Sequence, residues 1–308
     1  MLLKKSLLGK LKNFIKGIVM ENKNIYSAKN LYDYLIKESE KHKYFHHYTT
    51  LPVLKCIFKN RTFKMRRGNS TNLDDWHEWK AKGVECDWER TYISCFSYGD
   101  YENIGMWGLY GGLPTNQAVR LSLPKEAMNF VYRLNQELSN SELSNKKCNV
   151  YKDENKIHSF YYNDIESVYI SDVFYAKDKG NQTFKSKRIN FKKSDETIIK
   201  DIRDFLKKKE LTGCVKNYAW HFENEVRIII KFKNMQFDKK GNCLDCVYIE
   251  FPEDILNLFH IMTGPNFDKY LDLETIVGKN YINSQFNDLV HFKFENISQK
   301  INSEEANQ

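Results

Sequence analysis

An α+β fold with a mixed, mainly antiparallel sheet is predicted by three features of this 308-residue sequence. Short runs rich in β-branched and aromatic residues, separated by turn residues, read as strands. Some of these runs are joined by hairpin signals such as Asp238 to Asn242, and others by amphipathic helical stretches. That order differs from the regular alternation of a doubly wound parallel sheet. Hydrophobic residues make up 41% and aromatics 14%, with 20 Phe and 19 Tyr, so a sizeable core can form.

Leu3, Leu7, Leu11, Phe14, Ile15 and Ile18 fall at helical spacing with lysines on the opposite face, which predicts a basic amphipathic helix over residues 1–20. Such a helix packs on its own domain, docks a protein partner or lies on a membrane surface. Ser27 is a natural N-cap for a second helix through Leu31, Tyr34, Leu35 and Glu38. Tyr44 to Thr50 reads as a strand, the following ten residues with Pro52 near the start as a short helix, and Arg61 to Met65 as a second strand.

A polar loop over 68–83 follows, then a strand through Thr91 to Asp100, the Gly- and Trp-containing stretch 103–112, and a strand at 118–123. Residues 125–147 read as a helix that becomes polar. The tetrapeptide Glu-Leu-Ser-Asn occurs at 137–140 and again at 142–145, which predicts an exposed insertion near 134–150. Beyond it the sequence predicts strands at 167–177, 221–232 and 246–251, helices at 195–211 and 252–259, and further elements near 275–280 and 288–294. The domain organisation is therefore residues 1–43 as leading helices, 44–298 as one α+β domain, and 299–308 as a polar tail.

The formal net charge of +8 is uneven, because residues 1–25 alone carry +5 and leave about +3 for the rest. A nucleic-acid-binding surface is not demanded by that remainder. Seven Cys, an odd number, and no secretory signal predict a reducing, cytoplasmic setting. No apolar run reaches the roughly 18 to 20 residues of a membrane-spanning helix. The Gly-rich dinucleotide fingerprint, the P-loop, the nucleophile elbow and the HExxH zinc motif are all absent. The lone Cys243-x-x-Cys246 pair lacks a second ligand pair, so no metal is expected.

In the stretch from His221 to Ile230, strand alternation would put His221, Glu223, Glu225 and Arg227 on one face and Phe222, Val226, Ile228 and Ile230 on the other. The polar row faces solvent, the commoner arrangement for a half-exposed strand, or lines a cleft where two carboxylates act together. Trp107 and Tyr110, three apart, form a buried aromatic face or a ring contact for a ligand. Asn72, Asp74 and Asp75 read first as turn formers. Cys95 reads as a small core residue.

Five short segments occur in a telling order: His47-Tyr48-Thr49, the loop around Asn72 to Glu78, Cys95-Phe96-Ser97, Met106-Trp107 with Tyr110, and Trp220 to Arg227. In this order the chain resembles the bacterial domain-of-unknown-function 2971 family over roughly residues 44–270. More distantly it resembles the ADP-ribosyltransferase fold, which implies a split sheet with flanking helices and NAD as substrate. The resemblance implies that His47, Tyr48 and Thr49 hold the cofactor ribose, with Ser97 bracing Glu225 and one of Tyr98, Tyr101, Trp107 or Tyr110 against nicotinamide. Glu225 would then face the ribosyl cation, and Glu223 would orient or deprotonate the acceptor. The middle element departs from the fold's pattern, having no Ser-Thr-Ser.

The implied activity is transfer of ADP-ribose from NAD to a protein or nucleic-acid acceptor, in a bacterial toxin or phage-defence effector. The alternative is a non-catalytic sensor or partner-binding module of the same fold. An aromatic-lined nucleic-acid-processing cleft is a third reading, with only the mildly basic body behind it.

Overall fold

The computed structural model describes residues 23–25, 27–68, 87–111, 116–176, 182–184, 187–191, 209–265, 267 and 281–286. The expected N-terminal helix, the turn holding Asn72, Asp74 and Asp75, most of the 195–211 helix, the elements near 275–280 and 288–294, and the polar tail lie outside these residues.

The first described elements are β1 (Lys23–Ile25), α1 (Ala28–Ser39), β2 (Tyr44–Thr50), α2 (Leu51–Asn60), β3 (Thr62–Arg67) and β4 (Thr91–Ser97). They are followed by α3 (Ile104–Leu109), β5 (Ala118–Pro124), α4 (Asn129–Glu137), β6 (Lys147–Tyr151), β7 (Ser159–Tyr161), β8 (Ile165–Asp172) and β9 (Phe174–Ala176). Strands β10 (Gln182–Phe184), β11 (Lys187–Phe191), β12 (Val215–Asn217), β13 (Glu225–Phe232), β14 (Cys246–Glu250), β15 (His260–Thr263) and β16 (Tyr281–Asn283) complete the set. The protein is thus mixed α and β, with a large, mainly antiparallel sheet.

Among the described residues that sheet has eleven strands, and it forks. On one edge β4 pairs with β13, which pairs with β8. Its other edge is shared: Ser97 meets His46 of β2, whereas Ile93 and Tyr92 meet Arg66 and Arg67 of β3. One branch continues from β2 through β5 and β15 to β16, the other from β3 through β14 and β6 to β7. Helix α2 connects the two branches at the fork. It starts with Pro52 in its first turn, where a missing N–H costs nothing, and ends on Arg61 in the left-handed region at φ 54°. Its buried Leu51, Leu54 and Ile57 join Phe45, Phe63, Phe96, Val226, Ile228 and Ile230 in the main core.

The opposite face is covered by several elements. Helix α1, capped by Ser27 accepting from the Asn30 N–H at 3.1 Å, packs Leu31, Tyr34 and Leu35 against Ile93, Tyr169 and Ile229. Further along, Met106 and Trp107 of α3 pack on Tyr48 and Ala118. Space there is tight, for a Cβ on Gly264 would lie 2.4 Å from that of Ala118 and 3.0 Å from the Trp107 ring. Gly264→Ala should therefore destabilise the fold by about 1–3 kcal/mol through overpacking, read as a lower urea midpoint.

Two expectations are corrected by the structure. The polar insertion near 134–150 ends inside the sheet, because β6 pairs with β14 and buries Cys148 and Val150. The repeated Glu-Leu-Ser-Asn tetrapeptides mask that strand, which begins only at Lys147. The expected strand from His221 begins instead at Glu225, since Tyr218–Glu223 forms a 3₁₀ helix and Asn224 turns the chain at φ 45°. Asn tolerates that left-handed conformation better than most residues.

Candidate functional site

Residues paired across adjacent antiparallel strands point to the same face. Glu225 pairs with Ser97, Ser97 with His46, and His46 with Ser122, so one row crosses β13, β4, β2 and β5 on the face opposite the main core. His47 and Thr49, one residue out of phase, turn to the other side. There the His47 ring lies against Phe63 and Phe96, and its Nδ1 is 3.1 Å from the Cys95 carbonyl oxygen. The histidine in the row is His46, its Nδ1 2.8 Å from Ser122 Oγ and its Nε2 2.7 Å from the Gly99 carbonyl oxygen.

Beside this row lies a cleft of about 330 Å³, lined among others by Tyr48, Ser97, Tyr98, Asn103 and Glu223. Asn103 builds its near wall. Its Oδ1 caps α3 by accepting from the N–H groups of Gly105 and Met106, and its Nδ2 donates to the Phe222 carbonyl at 2.5 Å. This ties α3 to the turn that carries Glu223. From the end of α3, the Tyr110 hydroxyl donates to Glu223 Oε1 at 2.7 Å. Trp107 is fully buried, its ring edge-on to Tyr48 at 4.8 Å and its Nε1 donating to Glu102.

The two carboxylates are not equivalent. Strands β9 and β12 pair in parallel over the start of β13, and this cover was not foreseen in sequence. They bring Tyr175 and Lys216 onto it: the Glu225 N–H donates to the Tyr175 hydroxyl at 2.7 Å, and Lys216 Nζ lies 2.7 Å from Glu223 and 3.3 Å from Glu225. Arg227 holds Glu225 through Nε at 2.7 Å and Nη2 at 3.0 Å, while its Nη1 donates to the Gly213 carbonyl. Glu223, Glu225, Lys216 and Arg227 are all buried, two of each sign. Of the polar row that alternation favoured as a solvated face, Glu223, Glu225 and Arg227 are therefore part of an internal ion cluster, and only His221 is exposed.

Burial alone would raise the Glu225 pKa, but Arg227 and Lys216 outweigh it and hold the carboxylate at about 2. Glu223 moves the other way, raised first by burial and then by the charge of Glu225. Of the pair, only Glu223 lines the cleft. Burial and then Arg120 lower His46 to about 4. Because that value is depressed, His46 contributes stability above the usual 6.5 that is lost as pH falls from 6.5 towards 4. Complete loss would amount to about 3 kcal/mol. A urea midpoint that falls across this window, with the fall reduced in His46→Gln, checks it.

The residues expected from sequence thus divide. Tyr48, Ser97 and Glu223 meet at the cleft; Tyr110 and Glu225 stand behind Glu223; Trp107 supports Tyr48; His47 and Thr49 face away. Lys216, Tyr175, Asn103 and His46 were not singled out. The His-His doublet is the signal that could have raised His46. Lys216 carries no local signal at all. Among the described residues, no cluster of His, Cys, Asp and Glu is arranged to hold a metal, and Cys243 and Cys246 are free thiols. Nor is any described helix long and apolar enough to cross a membrane.

No protein-family model, curated protein or solved structure matches the chain.

Proposed function

We propose that the protein is an NAD-dependent ADP-ribosyltransferase acting at this cleft. The observation that carries the reading is that Tyr48, Ser97 and Glu223, from three separate segments, line one cleft walled by aromatic side chains. In the reaction, the bond between the ribose C1′ and the nicotinamide nitrogen breaks, and its electron pair leaves with nicotinamide. A fixed negative charge lowers the barrier to the resulting ribosyl cation. Glu223 supplies that charge. The acceptor nucleophile, on a protein or nucleic acid, then bonds to C1′ and its proton passes to the Glu223 carboxylate, whose raised pKa suits a base. Glu225 acts at second hand: it stays ionised and keeps Glu223 basic across Lys216.

A second reading, a partner-binding or sensing module without turnover, is favoured by one observation. Glu225 is wholly occupied by Arg227 and Lys216, as a structural ion cluster would require. Nicotinamide release from NAD by the full chain, measured with labelled ADP-ribose transfer in cell lysate, separates the two. Absence of both signals under all conditions removes the enzyme reading.

A further inference from the structure

The cleft carries a negative charge that the ion cluster behind it does not cancel. Asp100, Glu102 and Glu223 line it, and no lysine, arginine or histidine does. Glu223 is answered by Lys216 at 2.7 Å, but Glu102 has no such partner. It is half-buried and accepts from Trp107 Nε1 at 2.9 Å, from Ser284 Oγ and from the Gln285 N–H at 2.8 Å. All three donors are neutral, so they fix the carboxylate without neutralising it. No cation lies within ion-pairing distance of Glu102 or of the exposed Asp100 among the described residues. Buried Arg120, whose Nε has no hydrogen-bond partner, stands 5.8 Å from the Tyr48 ring and outside the lining, where it offsets part of this charge.

A second and independent feature points to a ligand. Ser97 is only 5% exposed and lines the cleft, yet its hydroxyl has no hydrogen-bond partner among the described residues. A hydroxyl set so deep ordinarily finds one, and as an acceptor it suits an incoming N–H. The rings of Tyr98, Tyr101 and Phe286 line the same space, and Tyr101 is 84% exposed despite its apolar ring. Aromatic rings attract a cation by their negative faces and cover whatever apolar body it carries. A bare metal ion suits the site less, for among the described residues no His, Cys, Asp and Glu side chains are grouped to hold one.

We propose that the cleft binds a small organic cation, an ammonium group on an apolar body. Glu102 and Asp100 meet its charge, Ser97 accepts one of its N–H groups, and the aromatic rings cover the body. The proposal goes beyond the transferase reading and does not rest on it. Cation binding and nicotinamide release are separate measurements, and either can fail alone.

Titration calorimetry of the full chain at neutral pH and low ionic strength tests it, with benzylammonium, benzyl alcohol and benzoate as probes. The three share a ring and a similar size but are positive, neutral and negative. Benzylammonium should bind about tenfold more tightly than benzyl alcohol, and benzoate most weakly. Added salt should narrow the gap between the first two. Glu102→Gln keeps an acceptor oxygen but removes the charge, and should weaken benzylammonium about tenfold while leaving benzyl alcohol unchanged. Because that change also touches the Trp107 and Ser284 contacts, Asp100→Asn and Ser97→Ala provide the test if it fails to fold. Each should weaken benzylammonium about threefold, with the Tm unchanged for the exposed Asp100. No binding of benzylammonium, equal affinity for the alcohol, tighter binding of benzoate, or wild-type affinity in every folded variant overturns the proposal.

Discussion

Arg227→Met is expected to destabilise the protein by about 3–5 kcal/mol, more than the overpacking at Gly264→Ala. The reason lies in what the variant leaves behind. Glu225 is 3% exposed and takes two hydrogen bonds from Arg227; without them it keeps the Cys95 thiol and the longer Lys216 contact, and Lys216 is shared with Glu223. An ionised carboxylate in that position has lost most of its compensation, so it must either protonate or admit water. The double variant Glu225→Leu with Arg227→Met removes both members of the pair and leaves Lys216 with Glu223. It should recover much of the loss, since replacing a whole buried pair with apolar groups is often neutral. Urea unfolding of wild type, single and double variants checks this. A single variant within about 0.5 kcal/mol of wild type would mean that the cluster is solvated, and that Glu225 is free to act in the cleft.

The same cluster explains why some of this molecule is legible in sequence and some is not. Strand β2, helix α2 and strand β3 are readable because every signal is local: an aromatic-rich strand, a Pro in the first helical turn, apolar residues at helical spacing. The phase of β2 is harder. His46 and His47 are adjacent, and a one-residue difference decides which faces the Glu225 row. Only the pairing of His46 with Ser97 and Ser122 settles it. The polar row of β13 looked solvated because alternation sets which residues share a face, not what covers that face. Its cover comes from β9 and β12, three-residue strands about forty residues apart with no periodicity to detect. Lys216 and Tyr175 enter the site on those strands, so they are invisible until the chain is folded. Arg120 illustrates the same limit. In sequence it is one arginine in a strand; its unpaired burial is a property of the packed sheet.

Glu223→Gln should lower nicotinamide release by about 10²- to 10³-fold if the cleft turns over NAD, the scale seen when one stabilising group is removed from a developing charge. Gln keeps the size of the side chain; its one oxygen still accepts from Lys216 and its amide N–H can donate to the Tyr110 hydroxyl, while Lys216 retains Glu225 at 3.3 Å, so the cluster should remain folded. Glu225→Gln should behave differently. It removes the negative neighbour that helps raise Glu223, so the Glu223 pKa should fall and the limb of the rate profile governed by it should move to lower pH. Nicotinamide release and acceptor labelling, measured for both variants across pH, separate the roles. A wild-type rate from Glu223→Gln together with a collapse in Glu225→Gln at every pH would transfer the charge-facing role to Glu225. The geometry argues for the opposite result: Glu225 is fixed by Arg227 behind the cleft wall, whereas Glu223 reaches the cleft with a carboxylate whose proton affinity burial and then Glu225 have raised.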